Sequence, residues 1–173
     1  PFFRVEAHGK APDPLLIRPP GALPEGEFLA RCTRCGECMR VCIANGLQPT
    51  WFEAGIEGMW SPILVSRIGY CEFNCTLCGQ VCPTGAIRRL PLPEKRKTKL
   101  GLAYVDRSRC LPWVGQSDCI VCEEHCPTWS KAIVFREERT QTARGEWRMF
   151  KKPYIDEDLC VGCGICETKC PLT

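Results

Sequence analysis

An α+β fold of two small interleaved units, preceded by an extended arm, is predicted by three features of this 173-residue sequence. Sixteen cysteines fall into four quartets, at 32/35/38/42, 71/75/78/82, 110/119/122/126 and 160/163/166/170. Short strand and helix patterns bracket those quartets. Six of the fifteen prolines crowd into residues 1–30, which carry no cysteine.

From the N-terminus, residues 1–30 read as an extended Pro-rich arm, because proline fixes φ and removes an N–H that regular structure needs. The arm is expected to wrap the body or to tether it to a preceding segment. Residues 49–69 read as a helical insertion. Thr50 to Glu53 resembles a capping box, and Phe52, Ile56 and Trp60 follow at helical spacing, with their aromatic face expected to pack on the core. Residues 63–66 read as a strand. Residues 86–90 and 102–106 read as a hairpin, and Glu94 to Lys99 form its basic, solvated tip, with docking of an acidic redox partner or an anionic membrane as the functional alternative. A second hairpin is expected from 133–135 to 154–156.

The chemistry lies in the cysteine spacing. Two quartets keep C-x2-C-x2-C-x3-C unchanged, and three end in Cys-Pro: Cys82-Pro83, Cys126-Pro127 and Cys170-Pro171. This is the iron–sulfur ligation run of bacterial ferredoxins, in which a tight loop supplies three thiolates and the fourth cysteine ligates the neighbouring cluster. Four quartets therefore imply four [4Fe–4S] clusters in two mutually locked pairs. The fold class becomes two interleaved bacterial-type 2[4Fe–4S] ferredoxin-like modules, largely stabilised by their clusters.

Other readings of the cysteines fit less well. At about 9% cysteine the composition also suits a secreted disulfide scaffold, but disulfide frameworks have no reason to repeat one short ligand loop four times. Structural zinc needs two knuckles per site, whereas here a third and a fourth cysteine follow every pair. With only His8 and His125 present, mixed Cys/His sites are few. Cys71-x3-Cys75-x2-Cys78 matches the radical-SAM signature, which makes an open-cluster enzyme the runner-up. The chain has no room for the large barrel of such enzymes, and no Ser/His/Asp set, paired carboxylates or Gly-rich phosphate loop accompanies the motif. An electron carrier, not an enzyme, is expected.

The strand pattern chooses among cluster pairings. Quartets two and three are flanked by four strand segments, whereas a module of quartets three and four lacks a closing strand after Cys170. The expected domains are thus an inner module over 70–136, an outer module of 31–48 with 150–173, and a hairpin linker at 137–149. The crossover then gives Cys32, Cys35, Cys38 with Cys170; Cys160, Cys163, Cys166 with Cys42; Cys71, Cys75, Cys78 with Cys126; and Cys110, Cys119, Cys122 with Cys82. The third quartet is stretched by eight residues, 111–118, and Trp113 is expected to shield its cluster edge.

Charge and hydropathy limit the partners. Each oxidised cluster with its thiolates carries about −2, so four turn the formal +3 into about −5. The basic residues then compensate buried anions and do not imply nucleic-acid binding. No segment reaches the roughly eighteen apolar residues of a membrane helix. No signal peptide is read, and the chain begins at Pro1, so a processed chain or a piece of a longer one is expected.

Three segments resemble MauM/NapG-type polyferredoxins: IRPPGALPEGEFLARCTRCGECMRVC (17–42), CLPWVGQSDCIVCEEHCPTWSKAI (110–133) and CVGCGICETKC (160–170). The resemblance covers residue 17 to the C-terminus, with the stretched third motif its most specific part. It implies an electron carrier with four [4Fe–4S] clusters, working beside a multispanning NapH/MauN-type quinol-oxidising membrane subunit and a reductase or cytochrome. Some such chains fuse the ferredoxin and membrane parts. It also implies a membrane-associated location on the periplasmic side, with the cytoplasmic face as the alternative. Ile43 in place of proline after Cys42, and the lack of a twin-arginine leader, depart from the pattern.

Overall fold

The computed structural model describes the strand over 3–7 and residues 16–172. Residues 1–2 and 8–15 of the expected arm lie outside the described residues. Strand β1 (Phe3–Ala7) pairs antiparallel with β4 (Gly101–Val105), far along the chain, with Phe3 opposite Val105 and Ala7 opposite Gly101. Residues 16–24 lie against the body and turn at Pro20–Gly21, where the Ala22 N–H donates to the Pro19 carbonyl at 3.0 Å: Leu64 N–H donates to the Ile17 carbonyl at 2.8 Å, and Ala22 bridges Ile87. The rest of the expected arm is helical. Helix α1 (Glu25–Arg31) starts behind Pro24, with Glu25 and Glu27 in its first turn and Arg31 in its last, each on the side the helix dipole favours.

The first two cysteine loops form one unit. Helix α2 (Glu37–Arg40) leads to β2 (Leu47–Pro49), which pairs antiparallel with β3 (Pro62–Leu64) before α4 (Leu77–Val81) packs back on α2. Between β2 and β3 lies the insertion, where only α3 (Gly55–Gly58) is helical. No capping box forms. Thr50 is buried and donates its hydroxyl to the Gly58 carbonyl at 2.5 Å, while Glu53 accepts from the Trp51 N–H at 2.7 Å. The helix turns the other way from the expected one: Ile56 is 81% and Phe52 71% exposed, with Trp51 and Trp60 half-exposed beside them. The aromatic face is on the surface because Thr50 and Ser61 pinch the insertion closed at its base, through Thr50 N–H to the Ser61 carbonyl at 2.8 Å.

The second pair of loops forms the other unit. Residues 86–90 do not enter a hairpin with 102–106: Ile87 bridges Ala22, α5 (Leu92–Lys97) intervenes, and β4 takes β1 as its partner. The basic segment is therefore a helix, and its Lys95 is buried. Beyond α6 (Val121–Glu124), the long strands β5 (Ile133–Gln141) and β6 (Trp147–Ile155) form the second expected hairpin, with Ile133 opposite Ile155, and α7 (Ile165–Thr168) packs on α6.

The core runs through both units. Ile17, Phe28, Leu47, Leu64, Ala86, Ile87, Ala103 and Ile133 form one cluster with Cys38, Cys122, Cys160 and Cys166. The cysteine loops are themselves core. Phe28 is completely buried, and the Arg18 guanidinium lies 4.5 Å over its ring while donating to Glu25 and to the Pro62 carbonyl.

Candidate metal centres

Four cavities contain all sixteen cysteines, four to each. The first is lined by Cys32, Cys35, Cys38 and Cys82. The second is lined by Cys42, Cys71, Cys75 and Cys78. Cys126, Cys160, Cys163 and Cys166 line a third, and Cys110, Cys119, Cys122 and Cys170 the fourth. In every case three cysteines come from one loop and the last from the partner loop.

The loops brought together differ from the expected ones. Cys82 joins Cys32, Cys35 and Cys38, where Cys170 was expected; Cys126 joins Cys160, Cys163 and Cys166 in place of Cys42. Cys42 joins Cys71, Cys75 and Cys78 in place of Cys126, and Cys170 joins Cys110, Cys119 and Cys122 in place of Cys82. The reason is topological. The strand that a three–four unit lacks after Cys170 is supplied from the chain's beginning, since β1 pairs with β4. Quartet one therefore pairs with two and quartet three with four. The interleaved arrangement and the inner and outer modules give way to two consecutive units.

Local geometry aims the sulfurs inward. Gly36 and Gly164, each directly after the second cysteine of its loop, take the left-handed conformation at φ 78° and 82°. That turn starts α2 and α7 and carries Cys38 and Cys166 into the interior. The Cys-Pro-Thr segments place a hydroxyl on the crossing sulfur: Thr128 Oγ1 lies 3.2 Å from Cys126 Sγ, and Thr84 Oγ1 3.8 Å from Cys82 Sγ. The Ile87 N–H donates to Cys82 Sγ at 3.4 Å. Neither threonine was singled out from sequence, although the repeated Cys-Pro-Thr was the available signal.

Electrostatics separates the thiols. Burial, reinforced by neighbouring cysteines, pushes Cys38, Cys78 and Cys122 up to about 12. Burial likewise pushes Cys163 up to about 12 and Cys110 up to about 11. Cys82 is held below its ordinary value: partial burial raises it, and the donors of Ile87, Thr84 and Gly85 outweigh that. Four thiolates crowded around one cavity, some of them buried, are tolerable only with a cation among them. Among the described residues, no three Cys, His, Asp or Glu side chains meet as a single-ion site requires. The sulfurs stand around a space. All-thiolate donors around an apolar, sulfur-rimmed space fit an iron–sulfur cube, and the second cavity offers four sulfurs because Cys42 completes the Cys71/Cys75/Cys78 motif.

Trp113 does not line the fourth cavity, whose wall is Leu111, Pro153 and Leu172. Its indole N–H donates to the Pro153 carbonyl at 3.3 Å, and its ring meets Tyr154 edge-on at 5.3 Å, with Arg107 4.4 Å above it. It pins the stretched loop to β6.

The two units meet along residues 66–71 and 163–168. The Cys71 N–H donates to the Cys163 carbonyl at 2.8 Å, and the Thr168 hydroxyl donates to the Ser66 carbonyl at 2.6 Å. Arg67 pairs with the buried Glu167 at 3.5 Å, whose carboxyl is raised by burial against the pull of that arginine.

Known proteins bear out the cysteine chemistry. The family model described as a 4Fe-4S dicluster domain matches residues 117–173. The methylamine utilization ferredoxin-type protein MauM of Methylorubrum extorquens is 40% identical over 172 residues, 97% of this chain and 73% of the relative. MauM of Methylophilus methylotrophus is 35% identical, over 91% of this chain and 67% of the relative. The ferredoxin-type protein NapG of Escherichia coli K12 is 36% identical, over 90% of this chain and 66% of its own length. The chain thus spans roughly two thirds to three quarters of these relatives. No solved structure matches it. At this level of identity over nearly the whole chain, the protein belongs to the MauM and NapG family of ferredoxin-type proteins.

Proposed function

We propose that the chain is a wire of four [4Fe–4S] clusters, one per cysteine cavity, moving single electrons between a quinol-linked membrane partner and another redox protein. The observation that carries this is the partition of sixteen cysteines into four cavities of four. A bound cluster supplies reversible one-electron chemistry at a potential set by charge, hydrogen bonds and exposure. The chain's own residues hold, order and shield the centres.

Their order is linear. Helix α2, which carries Cys38 of the first cavity, packs on α4, which carries Cys78 of the second; the Cys71 N–H of the second donates to the Cys163 carbonyl of the third; and α7, which carries Cys166 of the third, packs on α6, which carries Cys122 of the fourth. The ends are the Cys32/Cys35/Cys38/Cys82 and Cys110/Cys119/Cys122/Cys170 cavities. Cys35, in the first end cavity, is exposed to solvent. This proposal takes a membrane-associated, periplasmic location and a quinol-oxidising membrane subunit as partner from the resemblance alone. Among the described residues, no helix is long and apolar enough to cross a membrane.

EPR-monitored redox titration of the anaerobically isolated chain tests the wire. Four reversible one-electron couples are expected. The absence of any reducible centre would leave a structural scaffold as the better reading.

A further inference from the structure

Lys95 is 5% exposed, although it stands in the segment whose composition reads as a solvated basic tip. Its ammonium donates to the carbonyl of Glu72, the residue after Cys71, and lies 5.7 Å from the centre of the Phe73 ring; burial raises the Cys71 thiol, and the charge of Lys95 acts against that rise. Among the described residues, it forms no ion pair. Lys152, the other buried lysine, does: Glu138 lies 3.3 Å from its Nζ.

A buried ammonium with no counter-anion is costly, because a carbonyl and a ring face replace only part of its lost hydration. The Glu72 carbonyl that holds it belongs to the loop lining the second cavity, where Cys71 stands with Cys42, Cys75 and Cys78. Once those four are thiolates around an iron–sulfur core, the site carries a net negative charge. The loaded cavity then provides the anion Lys95 lacks.

We propose that Lys95 is the built-in counter-ion of the Cys42/Cys71/Cys75/Cys78 centre and sets its reduction potential above the value the loop alone would give. The inference rests on the four-cluster reading. Reduction adds one negative charge to the centre, and a fixed cation in a poorly screened site favours the more negative state. The position gives this weight. Cys71, next to the residue whose carbonyl holds Lys95, donates its own N–H to Cys163 of the next cavity, so the tuned centre sits at the junction between the units. Lys95 is a positioning residue in this role, since its fixed charge acts on the centre from beside the Cys71 loop.

The test is EPR-monitored redox titration of the full chain with its iron in place, comparing wild type with Lys95→Met, Lys95→Gln and Lys95→Arg. In the neutral variants one couple of the four is expected to fall, with about a tenfold lower equilibrium constant for reduction, equivalent to about 59 mV for one electron. The other three stay in place, and Lys95→Arg restores the shifted one. Loss of that one centre from both neutral variants, with retention in Lys95→Arg, also upholds the requirement for charge. Unchanged midpoints in an iron-replete neutral variant, or loss of the centre in all three variants, overturns the proposal while leaving the wire intact. A wild-type chain without reducible centres removes the wire itself.

Discussion

The Cys71 N–H donates to the Cys163 carbonyl at 2.8 Å, joining a cysteine loop of one unit directly to a cysteine loop of the other. A cysteine that lines the second cavity thus also serves as a structural joint. Beside it, the Thr168 hydroxyl donates to the Ser66 carbonyl and approaches the Gly69 carbonyl at 3.2 Å, tying α7 to the segment that leads into Cys71.

Replacing Thr168 by valine keeps the shape and removes the donor. The Ser66 carbonyl then loses its hydroxyl partner at the joint, which costs about 1–3 kcal/mol. Anaerobic denaturant unfolding of the iron-loaded protein should show a lower midpoint, with all four redox couples still present.

The crossing cysteines give a sharper outcome. Cys82 lines the cavity of Cys32, Cys35 and Cys38, so Cys82→Ser should disturb the same EPR couple as Cys35→Ser. It should leave alone the couple disturbed by Cys119→Ser. Disturbance of the Cys119 couple would restore the interleaved arrangement.

Phe28 is fully buried against the first cavity, beneath the Arg18 guanidinium. Truncation to alanine leaves a void and opens that cavity to water, at a cost of about 3–5 kcal/mol. Iron should be lost first from the Cys32/Cys35/Cys38/Cys82 site, seen as the disappearance of one couple before global unfolding by circular dichroism.

Ile56 shows the opposite behaviour. At 81% exposed it contributes nothing to the core, and Ile56→Ser should change stability by no more than about 0.5 kcal/mol. A loss of several kcal/mol in the same unfolding assay would mean that the insertion packs inward after all.

Chelation of iron after oxidation should unfold the chain. Cys38, Cys122, Cys160 and Cys166 belong to the core cluster, and without metal the core contains buried thiols whose deprotonation is opposed by burial. Far-UV circular dichroism should collapse together with iron loss, and a folded apo-protein would contradict this.

What could be read from sequence followed the range of the interactions. The cysteine loops were legible because three ligands within seven residues, with Gly36 or Gly164 at the turn, form a local geometry. The β5–β6 hairpin was legible because its alternating strands are adjacent in sequence. The pairing of loops was not, since β1 reaches β4 across about a hundred residues and no periodicity announces that contact. Thr50 to Glu53 looked like a helix start, yet the Thr50 hydroxyl is taken by the Gly58 carbonyl eight residues away, a choice fixed by burial of the insertion's base. Lys95 was indistinguishable from its basic neighbours: its burial depends on where Glu72 and Phe73 arrive from another part of the chain.

Iron and acid-labile sulfide analysis of the anaerobically isolated chain tests the central claim most directly. Four cavities of four cysteines predict about sixteen iron atoms and about sixteen sulfides per chain, with no stoichiometric zinc. Zinc in place of iron, or about eight irons with half the cysteines open to alkylation in the folded protein, would contradict it.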